Sequence, residues 1–334
     1  MYKNKTTQEK SFFLKNGAAV LEQSIRLFNG KCNPIRTYSS QQLKRATHNF
    51  DQSRLIHSGI NYQLYRGDDE EEDREISVKV FFPRSNHERH LKMIANEVAV
   101  ASKMSNHKNV LKLLGYCPHT ELPMLVYELP VHGNLLHIVS ADGEEAPFET
   151  KLRIGIGVAN AVAYLHHGHS KTFINRDIRR GQVFLDQDYG AKLCSFYASI
   201  PIPEGETHVE ADVFGTKGFT PPEVARYGRY TERSDVYDFG ILLSELLTGK
   251  SWGQILWDNM IDLASRNDLN DTDYDEIMKR ELDGMMLLED EEIGGQLIEC
   301  AKLVEKCINE NVNERPNMVE VAKALILIKT NTTQ

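Results

Sequence analysis

The sequence predicts an α+β protein of two lobes, a small sheet-rich one followed by a larger helical one. Three observations predict it. The chain has 334 residues, which at about 150 residues per domain is room for two. Residues 54 to 130 read as short runs broken by turns around one strong helical pattern. Beyond Gly133 long helical patterns take over, with only short strand-like pieces between them. Sheet-rich followed by helix-rich is the order of an α+β arrangement.

Residues 1–50 are read as an extension, 51–130 as the small lobe and 131–334 as the large lobe, hinged near Glu128 to Gly133. In the extension, Leu14, Ala18, Leu21, Ile25 and Phe28 recur at steps of four and three, which predicts a helix over 11–28 with one apolar face. Gly30 is its stop. That face has two open destinations, its own domain or a partner protein. RLIHSG and YQLYRG then read as paired strands, and EISVKVFF alternates up to Pro83. The acid run Asp68 to Asp73 between the second and third strands is expected to be a solvated hairpin loop. HLKMIANEVAVASKM is helical, with Leu91, Ile94, Val98 and Ala101 on one face, and VLKLLGYC and MLVYEL complete the strands. In the large lobe TKLRIGIGVANAVAYLHHG and DVYDFGILLSELLTG are helices, with VFLD and AKLC as short strands between them.

Composition excludes several function classes. With 41% hydrophobic and 26% charged residues the chain is neither disordered nor low in complexity. A net charge of −9 is wrong for a protein that grips phosphate backbones, so nucleic acid is not an expected partner. No apolar run approaches the ~18 residues of a membrane span, and Met1-Tyr2-Lys3 begins neither a signal core nor a myristoylation site. The expectation is a soluble intracellular chain without a transmembrane segment. Its five cysteines (Cys32, Cys117, Cys194, Cys300, Cys307) have no CxxC spacing, which predicts reduced thiols rather than disulfides or a zinc knot.

Several short segments gain meaning from their order. SVKVF, NEV within a helix, LVYE, INRDIRRGQVFLD, KLCSFY, GTKGFTPPE, SDVYDFG and NERP together resemble the eukaryotic protein-kinase fold over roughly residues 50 to 328. LLGYC, LVYE, SDVYDFGILLSELLTGK and the lead-in YSSQQLKRATHNF are most similar to plant receptor-like and receptor-like cytoplasmic kinases. KSFFLKNGAAVLE is especially like the small cytoplasmic group related to HopZ-ETI-deficient, which are pseudokinase adaptors of plant immunity.

A phosphotransferase needs a phosphate-covering loop, a lysine, metal ligands and a base in one geometry. Where the family pattern is G-x-G-x-x-G-x-V, this chain reads HSGINYQL, so of the glycines that let backbone amides approach phosphate only Gly59 survives, beside the bulky His57 and Tyr62. The resemblance makes Lys79 and Glu97 the family's phosphate-binding lysine and its helix partner. With the loop above them degraded, they are expected to act as a structural ion pair in a vestigial nucleotide site. Asp177 matches the base, Asn175 replaces a histidine, Arg179 stands in for a lysine, and Gln182 replaces the metal-binding asparagine. Ser195-Phe196-Tyr197 stands where the family has Asp-Phe-Gly. A serine supplies neither the charge nor the donor that seats magnesium, and metal stabilisation is worth several kcal/mol, so roughly a thousandfold loss of rate is a modest estimate. Asp235, and the pair Glu223 and Arg315, match residues that hold the fold together.

The resemblance therefore implies a catalytically inactive kinase-like adaptor with no metal and no cofactor beyond weak ATP binding. Its implied partners are a coiled-coil nucleotide-binding leucine-rich-repeat (NLR) immune receptor and a bacterial effector or effector-modified receptor-like cytoplasmic kinase. The expected location is cytoplasmic, with plasma-membrane recruitment left to those partners. Phe13, Leu14, Val20 and Leu21 are the expected receptor contacts. The activation segment, Ala198 to Thr220, with Thr207, Thr216 and Thr220, is expected to be mobile and open to a modifying enzyme, although ordinary structural use of these threonines stands beside that. Two other readings remain: a weak atypical Ser/Thr kinase using Lys79, Asp177 and Gln182, and a scaffold that binds ATP without turnover.

Overall fold

The alternating runs after residue 54 form a sheet because their side chains divide between two faces. In the computed structural model, which describes residues 2–31, 33–136, 146–215, 219–255 and 291–330, β2 (Leu55–Ser58), β3 (Tyr62–Asp69) and β4 (Arg74–Phe81) make an antiparallel meander. β5 (Leu113–Cys117) and β6 (Met124–Glu128) extend it, and β1 (Arg36–Thr37) adds in parallel to β5, giving the order β1-β5-β6-β4-β3-β2. Gly115 permits that last pairing: a Cβ there would lie 2.2 Å from the carbonyl oxygen of Arg36. Ile76 and Val78 on one face of β4 join Tyr38, Leu43, Cys117, Met124 and Val126 in a core cluster. The opposite alternation of the same strand carries Lys79 and Phe81. Helix α2 (Ser40–Ala46), started by a capping box between Ser39 and Gln42, contributes Leu43.

Helix α3 (His87–Met104) begins at Asn86, whose side chain accepts from the Arg89 amide at 3.0 Å. Leu91, Ile94, Val98 and Ala101 are buried as expected, and so are Asn96 and Glu97 between them. The acid run departs from expectation. Asp69 is 7% exposed, accepts from the Tyr38 hydroxyl at 2.9 Å and pairs with Arg36 at 3.2 Å, while Arg36 also holds Glu71 and Glu72. Part of the loop is thus pinned to the strand ahead of α2 by one guanidinium.

Helix α1 (Tyr2–Phe28) starts earlier than its apolar pattern and ends at Gly30, which has φ +72°. It packs on α3, but not through the expected stripe. Leu14, Leu21 and Ile25 are 70%, 60% and 54% exposed, whereas Asn16, Val20, Gln23, Ser24 and Leu27 are buried. The donors of this face find partners: Asn16 donates to the carbonyls of Pro118 and Thr120 at 2.9 and 2.8 Å, and Ser24 bonds back to Val20, while Asn16 Oδ1 is buried with no hydrogen-bond partner among the described residues. Val20, expected among the partner contacts, is 8% exposed and belongs to the core, a correction. Phe13 is 43% exposed and stacks on His119 at 5.0 Å.

These elements, with residues 184–188 and 192–199, form one compact unit; residues 135–183, 189–191 and 200–334 form a second. In the second, which also holds the short α5 (Pro222–Tyr227), α4 (Phe148–His167) packs on α6 (Glu232–Thr248) and on α8 (Met318–Thr330), and α6 packs on α7 (Glu291–Ile308). Gly240 permits the α6–α7 contact, since a Cβ there would lie 2.7 Å from Ile308 and 2.8 Å from Cys307. Cys300 and Cys307 are fully buried, and burial pushes both thiols up to about 12, so they are inert core residues. Cys32 lies outside the described residues. No helix among the described residues is long and apolar enough to cross a membrane.

Candidate functional site

Lys79 and Glu97 meet because strand alternation turns Lys79 toward α3 and helical spacing turns Glu97 toward β4. Lys79 is 1% exposed and Glu97 0%. Lys79 Nζ donates to Glu97 Oε1 at 3.1 Å, the Tyr127 hydroxyl donates to the same oxygen at 2.6 Å, and the Phe196 amide donates to Oε2 at 3.0 Å. Glu97 therefore has no oxygen left bare. Burial, the largest single influence, would drive the Lys79 ammonium toward neutrality; the Glu97 charge, joined by Cys194, Tyr62 and the hydrogen bond to Glu97, holds the pKa above the ordinary lysine value. Burial, and then the same carboxylate, push the Tyr127 phenol well up, and burial pushes the Cys194 thiol up to about 12.

The remaining face of that ammonium is covered by aromatic rings. Tyr62 lies over Lys79 Nζ at 4.4 Å from its ring centroid, and Phe81 at 5.3 Å. Tyr62 is 6% exposed and sits next to His57, with ring centroids 5.6 Å apart. His57 Nδ1 in turn accepts from Asn134 at 3.0 Å. A Cβ on Gly59 would already lie 3.3 Å from the Tyr62 ring and 3.4 Å from the His57 ring. The loop that should offer bare amides is filled by its own side chains.

The Ser195-Phe196-Tyr197 segment is fixed from α3. Ser195 is 1% exposed and has φ +78°, a left-handed conformation costly for serine. Phe196 is buried, and Asn96 Nδ2 donates to the carbonyls of Phe196 at 3.0 Å and Ser199 at 2.9 Å. Asn96 and Tyr127 are the residues that sequence reasoning missed. Both stand inside motifs already singled out, NEV and LVYE, but their partners are separated from them by up to 103 positions.

In the second unit the catalytic-loop residues come together around Asp235 and Asp177. Asp235 Oδ2 accepts from the Asn175 amide at 2.7 Å and from His166 Nε2 at 2.8 Å, and Oδ1 accepts from the Arg176 amide at 2.9 Å. Asp177 is 8% exposed; Arg179 Nε donates to Oδ1 at 2.6 Å and Gln182 Nε2 to Oδ2 at 2.9 Å. Gln182, one methylene longer than asparagine, gives its Nε2 to Asp177, while its Oε1 is buried with no hydrogen-bond partner among the described residues. Nearby, burial and the negative charges of Asp235 and Asp177 raise the Asp238 carboxyl well above the usual range against the pull of Arg315. Arg315 forks onto Glu223 with two bonds of 2.9 Å, as the sequence match implied.

After the short strands β8 (Val183–Leu185) and β9 (Ala191–Leu193), the described part of the activation segment makes several pairings. β10 (Ile200–Pro201) pairs with β7 (Phe173–Ile174), and β11 (Val209–Glu210) with β12 (Arg229–Tyr230). Arg176 stacks over Tyr230 at 4.3 Å and donates to the Asp212 carbonyl at 2.6 Å, and the Phe214 amide donates to the Tyr230 hydroxyl. Thr207 is exposed and Thr220 half-buried; Thr216 lies outside the described residues.

A lysine–glutamate pair beneath a sheet, an aspartate clamping a loop backbone and an arginine fork onto Pro-Pro-Glu are parts of one fold. The family model of protein tyrosine and serine/threonine kinases matches residues 55–325. The chain belongs to the protein kinase family. Among its relatives, serine/threonine-protein kinase ZRK1 of Arabidopsis thaliana is 36% identical over 96% of this chain and 93% of its own length. Non-functional pseudokinase ZRK2 of the same plant is 36% identical over 98% and 92%, and non-functional pseudokinase ZED1 is 38% identical over 73% and 72%. The solved pseudokinase domain of BIR2, an immune regulator of the RLK/Pelle family, is similar with a TM-score of 0.62, covering 93% of this chain and 94% of that one at 22% identity. That likeness shows the kinase fold, sheet-rich small lobe and helical large lobe included.

Proposed function

We propose that this chain is a catalytically inactive, cytoplasmic kinase-fold adaptor of plant innate immunity. It would bridge a coiled-coil NLR receptor to a bacterial effector or to an effector-modified receptor-like cytoplasmic kinase. The observation that carries the inactive reading is Tyr62 over Lys79. The lysine a kinase offers to nucleotide phosphates is buried and enclosed by the rings of Tyr62 and Phe81. The residues present do not fit a magnesium nucleotide: Ser195 brings no charge where the resemblance expects an aspartate, and Gly59 is the single glycine left in the loop. No phosphoryl-transfer step is therefore assigned. The names of ZRK2 and ZED1, non-functional pseudokinases, support the same reading.

Recognition is assigned to α1, whose exposed Leu14, Leu21 and Ile25 form an apolar stripe while the face carrying Asn16, Val20, Ser24 and Leu27 is the docked one. Phe13 flanks that stripe. The test is co-purification with the NLR receptor: Leu14→Asp with Leu21→Asp should abolish capture and leave the melting temperature nearly unchanged. Capture that survives both charges would remove α1 from the interface. A second reading, a weak Ser/Thr kinase, is favoured by the retained Asp177 and by the kinase name of ZRK1. Phosphate transfer that vanishes in Asp177→Ala would establish it instead.

A further inference from the structure

We infer that His166, His167 and Glu232 form a binding site for a divalent transition cation, with zinc as the best match. His166 and His167 end α4 and Glu232 begins α6, and one ligand atom from each lies within 4.8 Å of the other two. His167 Nε2 and Glu232 Oε2 are 3.9 Å apart, with side chains 45% and 28% exposed. Zinc at about 2.0–2.2 Å from each ligand would hold them roughly 3.4 Å apart. Ordinary rotamer adjustment of two partly exposed side chains closes that gap. Helix-end electrostatics accounts for two of the three residues, since a histidine suits a C-terminus and a glutamate an N-terminus. It does not account for His166.

His166 has a fully buried side chain, and its Nε2 lies 2.8 Å from Asp235 Oδ2. Asp235 accepts two backbone amides as well, so it acts as a carboxylate and the imidazole donates its Nε2 proton. In the neutral imidazole Nδ1 then carries the lone pair, and that atom is buried with no hydrogen-bond partner among the described residues. An imidazole that donates one nitrogen to a carboxylate and keeps the other for a cation is the usual arrangement of a metal-binding histidine. Two imidazoles and one carboxylate favour zinc over magnesium or calcium, and the fourth position is left for water or a donor from another molecule. The site also touches the loop clamp. A cation on His166 strengthens its bond to Asp235, the residue that holds the Asn175 and Arg176 amides.

The test uses the full chain, stripped of metal, titrated with zinc chloride by calorimetry at neutral pH, with magnesium chloride as the control. One zinc per chain with micromolar affinity is expected, together with a visible absorption band when cobalt(II) replaces zinc. His167→Ala combined with Glu232→Gln, both away from the Asp235 clamp, should weaken zinc by more than about tenfold and remove the cobalt band. Affinity weaker than that of the magnesium control, or a loss smaller than tenfold in the double variant, overturns the assignment.

Discussion

Replacing Glu97 by alanine should damage this protein far more than replacing Lys79. Glu97 accepts from Lys79, Tyr127 and the Phe196 amide within a site that is 0–1% exposed at both charged residues. Its loss leaves a buried ammonium without a counter-charge, at about 3–5 kcal/mol, and strands two donors at about 1–3 kcal/mol each when taken alone. The three share one acceptor group, so the costs overlap and the total is about 5 kcal/mol, a large part of the stability of an ordinary domain. Lys79→Met removes only the cation. Glu97 keeps its two other donors and can take up a proton, so about 2–3 kcal/mol is expected. Lys79→Met with Glu97→Gln should cost less than either, within about 1.5 kcal/mol, because the charges leave together. Both tryptophans, Trp252 and Trp257, fall outside the sheet unit in sequence, so tryptophan fluorescence is the wrong probe. Hydrogen exchange of the β4 and α3 amides, read by mass spectrometry, reports this unit directly. A loss below about 1 kcal/mol in Glu97→Ala, or a Lys79→Met loss equal to it, would refute the buried-cluster account.

Two further predictions follow from the same geometry. Tyr62→Gly with Ser195→Asp uncovers the Lys79 ammonium and supplies an anion, so the double variant should acquire magnesium-dependent ATP binding, seen as nucleotide protection in a thermal shift, at an aromatic-truncation cost of about 3–5 kcal/mol; no gain would mean that Tyr62 is not what closes the site. Asp238 has its carboxyl raised above the unfolded value near 3.9, by burial first and then by Asp235 and Asp177. Its contribution is therefore complete below about pH 4 and is lost as pH rises through the folded value, by up to about 1.4 kcal/mol per unit. Asp238→Asn should gain stability relative to the parent between pH 4 and 7, and parallel urea-denaturation curves across that range would contradict it.

Much of the fold was legible because its signals are local. The alternation of EISVKVFF and the 3.6-residue pattern of α3 each lie within a few positions, and they put Lys79 on a strand and Glu97 on a helix, where the structure has them. What was not legible depends on distant partners. Hydropathy gave α1 an apolar face, but the helix docks on the side of Asn16, whose amide hydrogens go to the carbonyls of Pro118 and Thr120, 102 and 104 positions away. Asp69 reads as one acid among many until Tyr38 and Arg36 close over it. The grip of Asn96 on Phe196 and Ser199 likewise has no local trace. The loss of the Ser195 carboxylate was visible in one letter; the ring of Tyr62 over the lysine needed the register that sets Tyr62 opposite Phe81.

Titration of the purified full-length chain with ATP, in the presence and absence of magnesium or manganese and read by heat and by phosphate transfer, tests the central claim most directly. The enclosed lysine and the neutral Ser195 predict no saturable heat at millimolar nucleotide, no strengthening by either metal and no transfer. Saturable binding that tightens with metal, accompanied by transfer lost in Asp177→Ala, would contradict it.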